Sequence, residues 1–190
     1  DFSIDSTQVE MSGDKKDMFI TAGITEGDVY SVSGVTISGD TVLPKEEIEK
    51  IVAFITPGST FSRGLVELAT ESITARLANI GYAFAKVNPV PAIDRDKRSV
   101  AIDMQVQPGP RVNVRRIVFK GNTRTADQVL RREMRQFEGS WYSQAAVDRS
   151  KVRLSRLGYF ETVEVENEPV AGSDDLVDVV YTVKETTSGS

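Results

Sequence analysis

One pattern returns along this chain at a nearly constant spacing, and no other feature limits the possible folds as much. Val32, Val35, Ile37 and Gly39 return as Val114, Ile117, Phe119 and Gly121, each at an offset of 82. Gly58-Ser59-Thr60-Phe61-Ser62 returns as Gly139-Ser140-Trp141-Tyr142-Ser143 at an offset of 81. Ile80-Gly81-Tyr82 matches Leu157-Gly158-Tyr159, and Val100, Ile102, Met104 and Val106 match Val177, Val179, Tyr181 and Val183, both at 77. Short loop deletions account for the drift. The N-terminal stretch repeats too: Met18, Ile20, Ala22 and Ile24 precede Val100, Ile102, Met104 and Val106 by the same offset of 82, as Asp14-Lys15-Lys16 precedes Asp96-Lys97-Arg98. Self-similarity at a fixed period is the mark of one supersecondary unit used in tandem. The 190 residues therefore read as two whole units preceded by the last two strands of a third. The sequence starts inside a strand, so a fragment of a longer protein is expected.

Each unit predicts the same elements. The first strand covers about 30–38 and 111–120, and its apolar positions change parity between Val32 and Val35 and between Val114 and Ile117. Side chains alternate faces along a strand, so the change signals either a bulge or a linker giving way to a strand. Ile48, Ile51, Val52 and Ile55 follow at helical spacing, with Pro44 where a missing N–H is harmless. In the second unit Thr125 and Gln128 have capping-box spacing, and Leu130, Met134 and Phe137 continue the helical stripe. Gly58 and Gly139 end these helices. A second helix starts after Ser62 or Ser143, both good N-caps. It carries Leu65, Leu68, Ala69, Ile73, Leu77 and Ile80 in one unit and Val147, Leu154 and Leu157 in the other. Gly81 and Gly158 end it. A second strand at about 82–90 and 159–167, a polar turn and a cleanly alternating third strand complete the unit. Three strands with one apolar face need a cover, and two amphipathic helices supply it. The fold class is α+β: tandem β-α-α-β-β modules, each a three-stranded sheet under two helices. Predicted helices span 44–55, 62–80, 125–137 and 143–157.

Composition narrows the chemistry. The chain has no cysteine and no histidine, which excludes disulfides, thiol nucleophiles, histidine acid–base work and the usual zinc sites. The net charge of −5 argues against a general nucleic-acid binder. Glu46, Glu47 and Glu49 fall on the solvent side of a helix, and Glu164, Glu166 and Glu168 on one strand face, with no second catalytic group beside them. No enzyme activity and no cofactor are expected.

A tandem β-α-α-β-β unit of this size resembles the POTRA (polypeptide-transport-associated) domain. Longer phrases resemble its use in the BamA family of outer-membrane β-barrel assembly factors: Asp5-Ser6-Thr7-Gln8-Val9, Ile24-Thr25-Glu26-Gly27-Asp28, Leu130 to Gln136, Arg156-Leu157-Gly158-Tyr159-Phe160 and Val177 to Glu185. The resemblance covers the whole chain. It implies the end of a third POTRA domain at 1–27, a fourth at 28–108, a fifth at 109–185, and in 186–190 the start of a linker to a membrane barrel. It further implies a periplasmic scaffold that docks accessory lipoproteins and guides unfolded outer-membrane proteins, with no role for nucleic acid. The repeat by itself also suits the related two-partner-secretion and translocation-assembly transporters, where such a region acts mainly as a spacer.

Charge is segregated in the second unit. Residues 111–156 hold 12 Lys and Arg against 4 Asp and Glu, a net +8, and residues 157–190 hold 1 against 8, a net −7. Two solvated faces would look the same. The resemblance implies a BamD-like lipoprotein on the helical part, which makes Glu133, inside Arg131-Arg132-Glu133-Met134-Arg135, the candidate ion-pair contact, with Arg131 and Arg135 beside it. Phe61, Trp141, Tyr142, Tyr82, Tyr159 and Phe160 are expected in or against the cores. The linker of about 107–111 is short enough to limit relative motion of the two units. The resemblance also puts the second strand at a sheet edge, where unpaired N–H and C=O groups can accept an extended chain. Pro89 and Pro91 blunt that edge in the first unit, and Glu161, Glu164 and Glu166 in the second. Residues 2–10, with Ile4, Thr7 and Val9 and no proline, are then the most receptive edge for substrate.

Overall fold

In both modules the last strand lies in the middle of the sheet. The computed structural model describes residues 2–11 and 18–187, so Asp14-Lys15-Lys16 and the last three positions of the chain lie outside the described residues. Strand β1 (Phe2–Met11) pairs antiparallel with β2 (Met18–Glu26), from Phe2 opposite Glu26 to Met11 opposite Met18. Module one contains β3 (Ser31–Gly39), α1 (Lys45–Ile51), α2 (Arg63–Ala78), β4 (Lys86–Asp94) and β5 (Ser99–Gln107), with strand order β3-β5-β4. Module two repeats this with β6 (Asn113–Lys120), α3 (Asp127–Arg132), α4 (Gln144–Arg156), β7 (Phe160–Pro169) and β8 (Leu176–Glu185), in the order β6-β8-β7. The first strand runs parallel to the central one and the second antiparallel. Parallel neighbours cannot be joined by a hairpin, and the helical pair makes the crossover.

The parity switch is a bulge in both modules. Register shifts between Val32 and Gly34 against β5, and between Val114 and Arg116 against β8. The loop before each second helix lies along the outer edge of the bulged strand. Gly58 N and Gly139 N donate to the Val32 and Val114 carbonyls, each at 2.7 Å, and Val32 N and Val114 N donate to Ser59 O at 2.8 Å and Ser140 O at 2.9 Å. This explains why α1 and α3 end at Ile51 and Arg132, short of the predicted 55 and 137. The chain must leave the helix early enough to run back along the strand.

Each core lies between the helices and one sheet face. Val100, Ile102, Met104 and Val106 are buried in module one, and Val177, Val179, Tyr181 and Val183 in module two. Ile48, Val52 and Ile55 are buried as the periodicity required. Ser62 and Ser143 cap α2 and α4 by accepting from Leu65 N and Ala146 N. Four expectations need correction. The buried stripe of α2 is Val66, Ala69, Ile73 and Leu77, while Leu65 and Leu68 face outward, Leu68 at 49% exposure, because the sheet lies under a line displaced by one position from theirs. Phe137 is exposed, as it lies past the end of α3. Tyr159 is exposed, whereas Phe160 next to it is buried. The capping box does not form: Ala126 is the N-cap of α3 and makes no side-chain cap bond, while Thr125 N is bound to Glu185.

The modules share a joint. Val112 N donates to Gly81 O and the Arg111 Nε to Ile80 O, both at 2.8 Å, and Ala145 N at the start of α4 donates to Asn79 Oδ1 at 2.8 Å. Ala78 is buried in the second module's core, with Ala83 and Phe84 against it. The Arg111 guanidinium lies 4.2 Å from the Trp141 ring centroid. Trp141 therefore belongs to the joint and not to a core, a further correction. These contacts tie the end of module one to the start of module two across the short linker.

At the far end of module two the Glu185 carboxylate gathers a loop. It accepts from Thr125 N at 2.8 Å, Arg124 N at 3.1 Å and the Thr123 hydroxyl at 2.9 Å. Arg124 also reaches Thr186 O at 2.7 Å, and Thr186 N donates to Tyr159 O at 2.9 Å. Partial desolvation pushes the carboxyl up, but the hydrogen bonds from Thr125, Thr123 and Arg124 outweigh it and hold the pKa down at about 2.

Substitutions at two glycines and at Glu185 test this architecture. A Cβ on Gly121 would collide with the carbonyl oxygen of Val183, whereas a Cβ on Gly139 meets nothing, although both residues have positive φ. The left-handed backbone costs about 1–2 kcal/mol with any Cβ, so G139A should lose about that much, and G121A clearly more; equal losses in urea melts would contradict the close approach. For Glu185 the folded carboxyl titrates below its ordinary 4.5, so the stabilisation is present above that pH and is lost as pH falls through about 2. Thermal melts should show the gap between the unaltered chain and E185Q widest at neutral pH, narrowing below pH 4.5; a gap independent of pH would refute the role of the charge.

Candidate interaction surfaces

Among the described residues no group of three or more acidic side chains is placed to hold a metal ion, and no helix is long and apolar enough to cross a membrane. What the structure does present is a cationic helical face and a set of strand edges.

The cationic face is built on α3 and α4. Arg135, Asp148, Arg149, Val152, Arg153 and Arg156 line an open groove of about 660 Å³. Residues 149, 152, 153 and 156 are spaced by three and four, so α4 presents them on one side. Its buried side is Ala146, Val147, Ser150 and Leu154. The Ser150 hydroxyl accepts from Arg135 N at 2.8 Å and donates to Ala146 O at 2.8 Å, which fixes the end of α3 against α4.

The three residues singled out from the sequence fall in this region but have different neighbours. Glu133 is the C-cap residue of α3, and its carboxylate is paired with Arg153 at 2.7 Å, with the glutamate side chain 19% exposed. It is thus tied to the groove's own arginine. Arg131 points the other way. It donates to Ile117 O at 3.1 Å, lies 3.4 Å from the Glu138 carboxylate and covers the Phe119 ring at 5.3 Å. Arg135 donates to Met134 O at 2.9 Å and borders the groove. Glu133 and Arg135 share one surface, and Arg131 belongs to the strap that holds β6.

Sequence reasoning missed Gln136, which is 2% exposed. Its amide nitrogen donates to Phe137 O, Ser140 Oγ and Trp141 O, and its amide oxygen accepts from Ser143 N at 2.8 Å. The signal was present: the offset that relates Gly58 to Gly139 also relates Ile55, a core position of module one, to Gln136. A second omission is the pairing of Arg115, the bulged residue of β6, with Asp178 on β8. Hydrogen bonding from that guanidinium holds the Asp178 carboxyl below the usual range.

The strand edges differ. Strand β4 is an edge strand whose Pro89 and Pro91 stand opposite Met104 and Ile102. Strand β7 is also an edge, with Glu164, Glu166 and Glu168 along it and Glu161 paired to Lys184 at 2.7 Å. Among the described residues, strand β1 pairs only with β2. Ile4 stands opposite Ile24 beside a register shift, Thr7 opposite Ala22 and Val9 opposite Ile20. Thr7 is exposed, and Val9 is 58% exposed.

Comparison with known proteins agrees with this architecture. The model of the POTRA family, described as a surface antigen variable number repeat, matches residues 30–109 and again 112–186. The chain is 33% identical over 191 residues to the outer membrane protein assembly factor BamA of Neisseria meningitidis serogroup B, covering all of this chain and 24% of that protein. It is 31% identical over 189 residues to BamA of Buchnera aphidicola, covering all of this chain and 30% of that protein. The chain thus spans about a quarter to a third of the length of these relatives. A crystal structure of POTRA domains 3–5 of Haemophilus influenzae BamA superposes with a TM-score of 0.85 at 39% identity, over 97% of this chain and 72% of that one. BamA of Haemophilus ducreyi lacking POTRA domains 1–3 gives 0.71 at 39% identity, over 85% and 30%. Two successive matches that together span most of the sequence, on two modules of one topology, place the chain in the POTRA family, in a region similar to POTRA domains 3–5 of BamA.

Proposed function

We propose that this chain is a periplasmic scaffold of outer-membrane protein assembly, in which module two docks a BamD-like lipoprotein and the strand edges receive unfolded β-barrel proteins. The cationic groove on α3 and α4 carries the docking reading. It is an open surface lined by Arg135, Arg149, Arg153 and Arg156, and Glu133 reaches its edge through Arg153. Four cations around one groove suit a partner with carboxylates, and such fields steer association as well as hold it. Delivery to a membrane barrel belongs to the whole protein, of which this chain spans a part. The competing reading, a spacer in a related transporter, needs no partner on this face.

The second proposal, strand addition, is supported by the open edge of β1. Its outer N–H and C=O groups have no strand beyond them among the described residues, and it has no proline. Strand β4 carries Pro89 and Pro91, and β7 carries charge, both of which discourage pairing.

Two measurements test these readings. Glu133, the carboxylate at the groove's edge, would meet a cation of the partner, so reversing it alone, E133R, should weaken binding of the purified lipoprotein by about 30-fold, the scale of a lost interfacial charge pair. Because Glu133 pairs with Arg153, the double reversal E133R/R153E restores the internal pair. Affinity should stay low in the double variant; full recovery would mean that Glu133 acts through Arg153 and is not itself a contact. Hydrogen exchange with an unfolded β-barrel peptide should show protection of residues 2–10 above that of Lys86–Asp94. Equal protection of both, or none on 2–10, would remove β1 as the receiving edge.

A further inference from the structure

The loop joining α3 to α4 holds two large aromatic side chains in the open. Phe137 is 62% exposed and Trp141 47%. Burial is the ordinary fate of such side chains, and two exposed rings on one short, heavily hydrogen-bonded loop invite a reason.

The support is rigid. Phe137 O accepts from the Gln136 side chain at 3.3 Å and from the Ser140 hydroxyl at 2.6 Å. Gln136 before it is buried and spends its amide on four neighbours of the same loop. Glu138 after it accepts from Ile117 N at 2.8 Å and meets Arg131 at 3.4 Å. Gly139 N is bound to Val114 O at 2.7 Å. Trp141 forms a bridge with Asn113 and lies under Arg111. The backbone around Phe137 is fixed on both sides, while its ring projects outward.

Module one supplies the control. The equivalent loop runs from Ile55 to Phe61 with the same two backbone bonds, Gly58 N to Val32 O at 2.7 Å and Val32 N to Ser59 O at 2.8 Å, and the same serine bond, the Ser59 hydroxyl to Thr56 O at 2.6 Å. There the positions of Phe137 and Trp141 are Thr56 and Thr60, and Ile55 stands where Gln136 is. The loop therefore folds without the aromatics. Module two has them, together with a glutamine that stiffens the loop, and nothing in the module's own packing requires Phe137.

We propose that Phe137, with the open side of Trp141, is the apolar anchor by which module two seats its accessory protein. This rests on the docking reading above and extends that surface to the α3–α4 loop. Arg131, itself paired with Glu138 next to Phe137, and Arg111 over Trp141 lie near these two residues, within a segment of net +8. The matching partner surface is an apolar pocket rimmed by carboxylates. Fixed aromatics entering a pocket lose little conformational freedom and dominate interfaces of this kind. A lipid surface is the competing occupant. The loop lies at the β6 end that meets module one, opposite the Glu185 end of β8.

The test uses the whole chain with the purified, lipid-free accessory lipoprotein. F137T installs the residue that module one carries at this place, so its melting temperature should match that of the unaltered chain, while affinity by calorimetry should fall by about 10-fold or more. A photoreactive phenylalanine at 137 should crosslink to the lipoprotein at an apolar site next to acidic residues. Unchanged affinity of F137T, beside a loss in E133R, overturns the anchor and leaves the docking reading intact. Adducts with lipid in phosphatidylglycerol vesicles, and none with the lipoprotein, also overturn it. Failure of the unaltered chain to bind the lipoprotein at all removes the docking reading and the anchor together.

Discussion

The parallel pairing of the first and last strand of each module is the constraint on which the rest depends. It puts β5 and β8 at the centre of their sheets with a neighbour on each side, and they carry the most continuous buried rows in the two modules. Parallel strands must be joined by a crossover, and the helices that form it are the ones that cover the apolar face. The pairing also brings the end of each first strand against the central strand so closely that only glycine fits, with Gly39 at Val106 and Gly121 at Val183. One requirement thus accounts for strand order, helix placement and the position of two glycines.

The same arrangement divides the surface between two kinds of work. The central strand is saturated, so the free hydrogen-bonding groups of each sheet lie at its edges, and the exposed charge of module two lies on its helices. The edge strands are guarded in different ways: the loop before the second helix covers the start of β3 and β6, prolines interrupt β4, and glutamates line β7. The helical face of module two is left free to specialise because its buried side already holds the core. The cationic groove and the rigid aromatic loop both occur there, and the equivalent loop of module one has neither Gln136 nor its two aromatics.

The joint between modules shows how small, local features become tertiary contacts. The C-terminal turn of α2 supplies Asn79 Oδ1 to the first turn of α4, and Gly81 gives Arg111 room to lie against it. A side chain at residue 81 would press on the Arg111 Cγ at 2.7 Å. The end of one helix therefore serves both as the close of module one and as part of the core of module two, through Ala78. The similarity to a three-domain crystal structure extends over 97% of the chain, so both modules and the joint between them fall within it.

Periodicity and repetition made much of the fold legible. Alternation along the third strand, the serine caps at 62 and 143, the glycines at 81 and 158 and the irregularity at Val32 and Val114 are local properties, set by φ/ψ preference and by which side of a strand each residue occupies; Gly58 and Gly139, expected to end the first helices, lie seven residues past them. The sequence also carried a resemblance specific enough to imply the family. What local pattern could not decide was which side of each helix would find the sheet, and so Leu68 and Phe137 were expected inward and lie outward. Nor could it show the partners of Glu133 and Glu185, since Arg153 belongs to the following helix and the Thr123–Thr125 loop to the opposite end of the module's sequence. Pairings between such distant segments depend on how the crossover closes the sheet, and only the folded chain brings those charges within reach.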